Sequence, residues 1–180
     1  MLSREYMREC LNYEMYLGMR ENISVAEKVW AHFFRPQTNV IIHLRKMQYY
    51  HGRCEVISKI HGLILNRRWG IYINPNAEIQ KGVYFPHPTS ICMTNVRIGK
   101  NFTCLQNCTI GSKELGMTDS SETPYIGNNV TVYANSLIIG NIRIADNVTI
   151  GGGSCVVKNA DVCGGVYCGS PARLLKKQSE

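Results

Sequence analysis

One histidine of this chain stands in a setting that suits proton transfer. The chain holds five histidines, and four of them fall in the first 70 residues without a partner motif: His32, His43, His51 and His61. The fifth, His87, lies between Pro86 and Pro88, which stiffen the backbone on both sides. An imidazole titrates near neutral pH, so it can accept and return a proton during a reaction. His87 is therefore the strongest candidate for acid–base chemistry.

The cysteines indicate neither a metal site nor a disulfide framework. Eight are present, but none forms a Cys-x-x-Cys pair, and no His/Cys ligand spacing occurs. Free cysteines predict a reducing compartment. The first residues lack the apolar segment of a signal peptide, and no 18-residue apolar run exists. We therefore expect a cytoplasmic protein with no transmembrane segment and no bound metal.

A period of six residues organises the part of the chain that contains His87. Apolar residues recur at this spacing without a slip along one stretch: Ile126, Val132, Ile138, Ile144, Ile150, Val156, Val162 and Cys168. An earlier stretch follows the same period through Ile73, Ile79, Phe85 and Ile91, shifts by one residue near Val96–Ile98, and continues at Cys104 and Ile110. A fixed period of this kind is typical of a repeat architecture.

A repeat of six residues matches neither the period of a helix nor the alternation of a long strand. Its residues describe a short strand that ends in a corner, so that three hexads form one triangular coil and stacked coils bury an aliphatic core. The sequence thus predicts a mainly β fold: a parallel β-helix of about five coils over residues 71–180, interrupted by a loop at 112–123 and followed by a C-terminal tail.

The first 70 residues are predicted to be helical and to cover the open first coil. Ser3 and the Ser24/Glu27 capping box mark two helix starts, and Pro36 is expected to end the second helix. A third helix is expected from Thr38, with its apolar side inward, and a fourth from about residue 55 to 68, with Val56, Ile60, Leu63 and Ile64 inward.

Charge is concentrated in this helical segment. The chain carries a net charge of +7, and residues 1–70 account for +5, with eleven Lys or Arg against six Asp or Glu. This distribution fits either an ordinary solvated surface or attraction to an anionic ligand or membrane-bound acceptor. No basic run interleaved with aromatic residues occurs, so we expect no nucleic-acid partner.

Several motifs together resemble the hexapeptide-repeat acyltransferases, whose fold is a left-handed β-helix. The repeat appears as Ile126-Gly-Asn-Asn-Val130, and the end of the chain carries Gly169-Ser-Pro-Ala-Arg173. The stretch from Phe85 to Pro88, followed by Leu105–Gly111, is similar to the serine acetyltransferase branch and its polysaccharide O-acetyltransferase relatives. The resemblance covers roughly residues 65–177 and supplies the left-handed winding, which spacing alone does not give.

The resemblance implies an acetyl-CoA-dependent O-acetyltransferase in which His87 deprotonates the acceptor hydroxyl. Stacking predicts a trough beneath His87, because residues two places after the inward position of this face align as Gln106, Ala134, Gly152 and Ser170. A pantetheine arm would fit along it. The acetyl-CoA contacts implied in this way are Gly111, Ala134, Gly152, Gly153, Lys158, Ser170 and Arg173. Members of the superfamily assemble as homotrimers, so we expect a trimer or a dimer of trimers.

The acceptor is the part that the resemblance defines least. The family's Asp-Ile-His-Pro stretch reads Tyr72-Ile-Asn-Pro75 here, its Asp-His pair reads Pro86-His87, and its Arg-His-Pro-Lys-Ile stretch reads Glu122-Thr-Pro-Tyr-Ile126. Groups that hold serine are therefore missing. We expect Gln106, Glu122 and Thr123 to line a pocket for a neutral hydroxyl, such as that of a sugar or a surface-polysaccharide precursor. Loop 112–123 is expected to project toward His87 of a neighbouring subunit.

Two alternatives remain open at the level of sequence. Serine O-acetylation, the first step toward cysteine, is the nearest one. A non-catalytic hexapeptide scaffold is the other. A zinc site with three histidines, known in some hexapeptide proteins, is disfavoured because the repeat region contains a single histidine.

Overall fold

The computed structural model describes residues 2–19, 24–113 and 123–177. Four helices come first: α1 (Arg4–Glu14), α2 (Val25–Phe34), α3 (Pro36–Tyr50) and α4 (Glu55–Trp69). Short strands follow in chain order: β1 (Tyr72–Ile73), β2 (Glu78–Ile79), β3 (Cys92–Met93), β4 (Arg97–Ile98), β5 (Thr103–Cys104), β6 (Thr109–Gly111), β7 (Tyr125–Ile126), β8 (Thr131–Val132), β9 (Leu137–Ile139), β10 (Arg143–Ile144), β11 (Thr149–Ile150), β12 (Cys155–Val156), β13 (Gly165–Cys168) and β14 (Arg173–Lys177). Among the described residues, no helix is long and apolar enough to cross a membrane.

The strands form three sheets that run the length of a β-helix. Sheet A has the order β1-β3-β6-β9-β12, sheet B β10-β7-β4-β2, and sheet C β14-β13-β11-β8-β5. Every pair is parallel except β13–β14. Successive strands of one sheet belong to successive coils, and the isolated bridges of Tyr84 with Thr103 and of Ala160 with Ile144 complete the first and last coils. Five coils result, which is the number expected.

The interior is an unbroken aliphatic column. In the second half of the repeat, Ile126, Val132, Ile138, Ile144 and Ile150 are each completely buried. Asparagines turn the corners between sheets B and C in the left-handed conformation, which costs Asn less than most residues. Their side chains form a ladder between coils, with 2.9 Å bonds from Asn101 Nδ2 to Asn129 Oδ1 and from Asn129 Nδ2 to Asn147 Oδ1.

The phase expected for the first two coils was wrong at one position. Met93, rather than Ile91, stands on the strand, because β3 pairs Met93 with Ile73 and with Ile110. Eight residues therefore separate Phe85 from Met93, and five separate Met93 from Ile98. The corner after Phe85 contains two extra residues, and His87 lies in it. Periodicity missed this insertion because Ile91 is also buried and falls six places after Phe85.

The last coil is one residue shorter than the period predicts. Ile150 pairs with Tyr167, so Cys168 is not the inward residue and remains partly exposed. Val162, expected on a strand, lies outside the strands and packs against the core only in part. Ala160 takes the place expected for Val162, because it pairs with Ile144 only four residues after Val156, and seven residues then lead from Ala160 to Tyr167.

The helices begin largely where the capping residues predict. The Ser3 hydroxyl accepts the N–H of Tyr6, and Ser24 and Glu27 form a complete capping box. Pro36 does more than end α2, because it occupies the first turn of α3, where its missing N–H costs nothing. In α3 the expected inward residues, Val40, Ile41, Leu44 and Gln48, are all buried.

The inward face expected for α4 was wrong at three positions. In α4, Val56, Ile60 and Leu63 are between 49% and 68% exposed, and the buried residues are Ser58 and Leu65. In α2 the only buried residue is Ala31. Both helices keep an apolar stripe on the side that faces away from α3 and the β-helix.

Side chains from the helices satisfy the backbone of the first coil. The Arg45 guanidinium donates to the carbonyls of Ile79 and Gln80 over 2.7 and 2.8 Å, while the Glu14 carboxylate accepts the N–H of Gly82 over 2.7 Å. Arg45 and Glu14 also form a fully buried ion pair. Backbone groups at the open end of a solenoid would otherwise lack partners, so the helices act as its cap.

Candidate functional site

His87 is exposed on the two-residue insertion between sheets C and A. The insertion is held at both ends. The Thr89 N–H donates to the His87 carbonyl over 2.8 Å and closes a tight turn. The side chain of Gln37, from the first turns of α3, donates from Nε2 to the Pro86 carbonyl over 2.7 Å. A rigid corner therefore presents the imidazole to solvent and to any ligand at this edge.

A column of small residues runs along the corner that carries His87, but His87 does not head it, in correction of the expected stacking. The Asn107 N–H donates to the Thr89 carbonyl as the Asn135 N–H donates to that of Gln106, so Thr89 stands above Gln106, and the column continues through Ala134 and Gly152. The shortened last coil places Gly169 below Gly152, so Ser170 lies one residue out of the column, in correction of the expected alignment. Tyr133 and Leu137 are exposed on either side of Ala134 and give this column an apolar border.

Gln106 contributes an amide oxygen that lacks a partner in the described part of the chain. Its Oε1 atom is buried and forms no hydrogen bond there. Buried acceptors without partners are uncommon in native proteins and often mark a ligand position. Gln106 lies at the corner that carries His87, so a ligand bound at this corner can donate a hydrogen bond to its oxygen.

Glycine is required at positions 152 and 153 for different reasons. A Cβ atom at Gly152 would lie 3.3 Å from the Ala134 carbonyl oxygen, whereas a Cβ at Gly153 would meet nothing within 4 Å. Gly153 is required by its backbone, which has a φ of 68°. Neither glycine precedes a helix, so the pair is not a phosphate-binding loop.

The other residues that we expected to contact acetyl-CoA or the acceptor lie apart from His87 in the same chain. Gly111, Thr123 and Lys158 are at the corner between sheets A and B, across sheet A from His87. Gly111 is buried, and a Cβ there would come within 2.6 Å of Thr94 Oγ1. Thr123 is only 6% exposed, and Glu122, like most of loop 112–123, falls outside the described residues. Arg173 is exposed on β14, at the C-terminal end of sheet C.

A pair of thiols lies inside the β-helix at the corner between sheets C and A. Cys104 and Cys108 are both completely buried, and the Cys108 thiol contacts the carbonyls of Tyr133 and Gln106. A hydrogen bond from the Cys104 thiol lowers the pKa of Cys108 to about 7, although burial acts in the opposite direction. With no exposed surface, Cys108 is not placed to attack a substrate.

Two other features of the molecule lie apart from His87. A cavity of about 490 Å³ lies outside sheet B beneath α1 and α3, lined in part by Tyr6, His51, Arg97 and Tyr125, and it does not include His87. Within the described residues, no group of three His, Cys, Asp or Glu side chains is placed to hold a metal ion. The corner between sheets C and A is thus the place where an exposed imidazole, a column of small residues and an unpartnered acceptor occur together.

The chain belongs to the hexapeptide-repeat acyltransferase superfamily and is similar to its serine acetyltransferases. Residues 123–158 match the model of the bacterial transferase hexapeptide, with six repeats. The left-handed β-helix with helices at its N-terminal end is the fold of the serine acetyltransferases. The structure superposes on serine acetyltransferase from Neisseria gonorrhoeae with a TM-score of 0.82 and 22% identity, over 99% of this chain and 69% of that one.

Relatives that are similar in sequence are serine acetyltransferases as well. A serine acetyltransferase of Arabidopsis thaliana is 30% identical over 166 residues, which are 92% of this chain and 46% of the relative. One from Staphylococcus epidermidis is 32% identical over 103 residues, which are 57% of this chain and 47% of the relative. The chain therefore spans about half the length of the curated relatives that it matches. A serine acetyltransferase solved in complex with CoA has a TM-score of 0.78 and 21% identity, over 96% of this chain and 71% of that one.

Proposed function

We propose that this protein is an acetyl-CoA-dependent O-acetyltransferase. The observation that carries the proposal is the exposed His87 at a corner that continues as a column of small residues, with the unpartnered Gln106 oxygen at the same corner. The column suits the narrow, amide-containing pantetheine arm of CoA, and its apolar border suits the methylene groups. The basic side chains of Lys158 and Arg173 are our candidates for the CoA phosphates.

The proposed reaction is a direct transfer. The His87 imidazole takes the proton of the acceptor hydroxyl while the hydroxyl oxygen forms a bond to the thioester carbonyl carbon. The resulting tetrahedral intermediate breaks its carbon–sulfur bond, and the CoA sulfur leaves with the proton that His87 returns. No acetyl-enzyme forms, which fits the complete burial of the nearest thiols, Cys104 and Cys108.

L-Serine is the acceptor that the relatives favour. The curated relatives and solved structures quoted above are all serine acetyltransferases, and the expectation of a sugar acceptor finds no support in them. A saccharide hydroxyl stays as a second candidate because of one specific observation. Asn74, Pro86 and Thr123 replace charged or ionisable residues of the family pattern, which leaves fewer groups to hold a zwitterionic amino acid.

An assay of CoA thiol release tests the activity and the acceptor together. Acetyl-CoA would be offered with L-serine, with monosaccharides and with nucleotide-linked sugars, and the product identified by mass spectrometry. We expect acceptor-dependent release, and the acceptor with the higher kcat/KM decides between the two candidates. Release that no acceptor accelerates above buffer hydrolysis would instead favour the scaffold alternative.

The first prediction concerns the base. His87→Ala should lower kcat by about 10²–10⁴-fold because proton abstraction is lost, whereas acetyl-CoA binding measured by calorimetry should stay unchanged. His32→Ala, at an exposed position on α2, is the matched control. Full activity of the His87 variant, or an acetylated cysteine trapped by alkylation, would contradict the mechanism.

The second prediction concerns assembly. The short strands of sheet A begin at the corner that carries His87 and end at the corner that carries Thr123 and Lys158, so these groups lie at opposite ends of the strands. One chain therefore does not bring these groups together, and a neighbouring copy would. We propose a homotrimer with the site between subunits, either alone or as a dimer of trimers. Light scattering should give three or six times the 20.3 kDa chain mass, and a monomer at micromolar concentration would refute the shared site.

A further inference from the structure

Two buried side-chain atoms that lack a hydrogen bond lie in the same coil of the β-helix. Among residues 2–19, 24–113 and 123–177, three such atoms occur: His51 Nδ1, Thr94 Oγ1 and Gln106 Oε1. His51 Nδ1 lies 3.2 Å from the Glu55 carboxylate, which accounts for its position. Thr94 directly follows β3, and Gln106 lies two residues after β5. The two remaining atoms therefore belong to the second coil, one at each end of the strands of sheet A.

The residues packed around Thr94 supply no partner for its hydroxyl. The Thr94 N–H donates to the Ile110 carbonyl over 3.0 Å, which places the side chain beside Gly111 of the next coil. A Cβ atom at Gly111 would come within 2.6 Å of Thr94 Oγ1, and Gly111 does not have a positive φ. Glycine is therefore required at position 111 by the close approach of the threonine and not by its own backbone.

The fold does not explain why a threonine occupies position 94. A buried hydroxyl without a hydrogen bond costs free energy, whereas a valine of the same shape would avoid this cost. An unpartnered buried group calls for an explanation, and a ligand that supplies the missing partner is one. Thr94 as a residue is only partly buried. Rotation about χ1, which exchanges Oγ1 with the methyl group, would turn the hydroxyl toward a ligand at this corner.

The proposed reaction needs a donor for the charge that it creates. When the acceptor oxygen attacks the thioester, negative charge develops on the carbonyl oxygen, and donors aimed at this oxygen are a large part of catalysis. The two prolines that flank His87 have no N–H. The Thr89 N–H donates to the His87 carbonyl over 2.8 Å, and the next N–H, that of Ser90, donates to a carbonyl of α4 over 3.0 Å. We therefore expect a side chain to supply the donor.

A neighbouring subunit brings the hydroxyl and the imidazole to the same height. Rotation about an axis parallel to the β-helix keeps every coil at its own height. Strand β3 begins shortly after His87 and ends directly before Thr94. The two side chains thus lie at opposite ends of one strand within a chain, but at similar height on adjacent copies. This step rests on the proposed function and on the trimer proposed with it.

We propose that the Thr94 hydroxyl is a further catalytic group of the acetyl transfer and acts beside His87 of the neighbouring subunit. The acceptor oxygen forms its bond to the thioester carbon while His87 takes the hydroxyl proton. The π electron pair of the carbonyl moves to its oxygen, to which Thr94 donates a hydrogen bond. The pair then re-forms the carbonyl as the carbon–sulfur bond breaks, and the sulfur leaves with the proton from His87. Thr94 keeps its own proton throughout.

A Thr94→Val variant tests the hydroxyl without changing the shape of the side chain. In the thiol-release assay, kcat should fall by about 10²-fold, as it does when one donor to the reacting oxygen is lost. The Kd for acetyl-CoA should stay within about twofold, because the donor acts mainly on the transition state. The melting temperature should stay equal or rise, since a buried group without a partner has been removed. Thr94→Ser, which restores the hydroxyl, should recover most of kcat.

Two control variants remove hydroxyl groups elsewhere. Thr131→Val changes a partly buried threonine on β8 of sheet C, and Ser90→Ala removes an exposed hydroxyl near His87 in the same chain. Both should leave kcat unchanged. A loss of kcat in Ser90→Ala without one in Thr94→Val would assign the donor to Ser90 and overturn the proposal.

Mixed trimers show whether the hydroxyl acts across the boundary between subunits. Chains with Thr94→Val and chains with His87→Ala would be co-expressed with different affinity tags and purified over both. One site of such a trimer combines an intact His87 with an intact Thr94 of the neighbour. Activity should therefore return to roughly a quarter to a third of the unmodified value, although each variant alone is almost inactive.

Three further results would overturn the inference. Full kcat in Thr94→Val would remove the role of Thr94 and leave the proposed transferase standing, because thiol release persists. A fall in kcat together with a lower melting temperature would show a structural role. Mixed trimers no more active than either parent would place Thr94 outside the neighbour's site. Absence of thiol release in the unmodified protein, by contrast, would refute the proposed function itself and this inference with it.

Discussion

At the scale of single residues, the position of His87 depends on a contact from a different part of the chain. The Gln37 side chain, 49 positions away in sequence, donates a 2.7 Å hydrogen bond to the Pro86 carbonyl. In the family pattern an aspartate precedes the histidine, and here that place is taken by Pro86, which has no acid to offer. Gln37 holds the backbone of the insertion instead, and so acts as a positioning residue.

The third prediction follows from this contact. Gln37→Ala should lower kcat by about two- to tenfold, in line with the loss of one hydrogen bond of about 0.5–1.5 kcal/mol, while the KM for acetyl-CoA stays within about twofold. Asn39→Ala removes a similar amide that donates over 3.0 Å to the Arg35 carbonyl, and it serves as the control. If both variants lowered kcat equally, Gln37 would have a purely structural role.

At the scale of elements, the packing of α3 against α4 contains a histidine pair that links stability to pH. His43 Nδ1 lies 2.8 Å from His61 Nδ1, so one ring donates and the other accepts. Burial, followed by the neighbouring His61, Lys46 and Arg68, lowers the pKa of His43 from 6.5 to about 4. Burial and Lys46 also lower the pKa of His61.

The sign of the pH effect follows from these shifts. The unfolded chain binds protons at these positions more readily than the folded chain, so the free energy of unfolding falls as pH decreases. The contribution is complete above pH 6.5 and is lost between about pH 6.5 and 4. Tyr50, stacked on His61, and Trp69, beside His43, carry no charge that would offset it near neutral pH.

The fourth prediction tests this pair by urea denaturation between pH 8 and 4.5. The double variant His43→Leu, His61→Phe should lose stability less steeply on acidification than the unmodified protein. His32→Gln, which changes an exposed histidine, should keep the original slope. Parallel curves for the unmodified protein and the double variant would show that the pair does not titrate in this window.

The elements also show how far sequence reasoning reaches. The β-helix, its five coils and the four helices could be predicted, because hexad spacing and helix caps are local signals. The insertion at His87 could not, since Ile91 satisfies the period while serving a different position. Val56 was misplaced because an apolar stripe specifies a buried face without specifying what buries it. Gln37 was missed because a contact 49 residues away leaves no local trace.

At the scale of the whole molecule, one buried ion pair joins the helices to the β-helix. Arg45 and Glu14 have fully buried side chains. Burial alone would lower the pKa of Arg45, but the Glu14 carboxylate reverses this and raises it. The pair also contacts the backbone of Ile79, Gln80 and Gly82 in the first coil. Loss of either member therefore leaves both a buried charge and open backbone groups without partners.

The fifth prediction measures this connection. Glu14→Gln should reduce the free energy of unfolding by about 3–5 kcal/mol, observed as a lower urea midpoint. Glu9→Gln breaks the more exposed pair with Lys81 and should cost less than about 1 kcal/mol. A similar small effect for both variants would mean that the cap is held by apolar packing rather than by the ion pair.

The two ends of the solenoid are closed by different means, and this limits how the protein can associate. At the first coil, side chains of the helices bind the backbone groups that would otherwise be left without partners. At the last coil, the turn that follows β13 pairs with Cys155 through the Gly169 carbonyl and the Ala172 N–H, and β14 lies antiparallel along the edge of sheet C. A parallel β-helix with open ends is a template on which identical molecules could stack without limit. In the described part of the chain, these elements cover strand edges at both ends, which opposes the end-to-end stacking of identical molecules into fibrils.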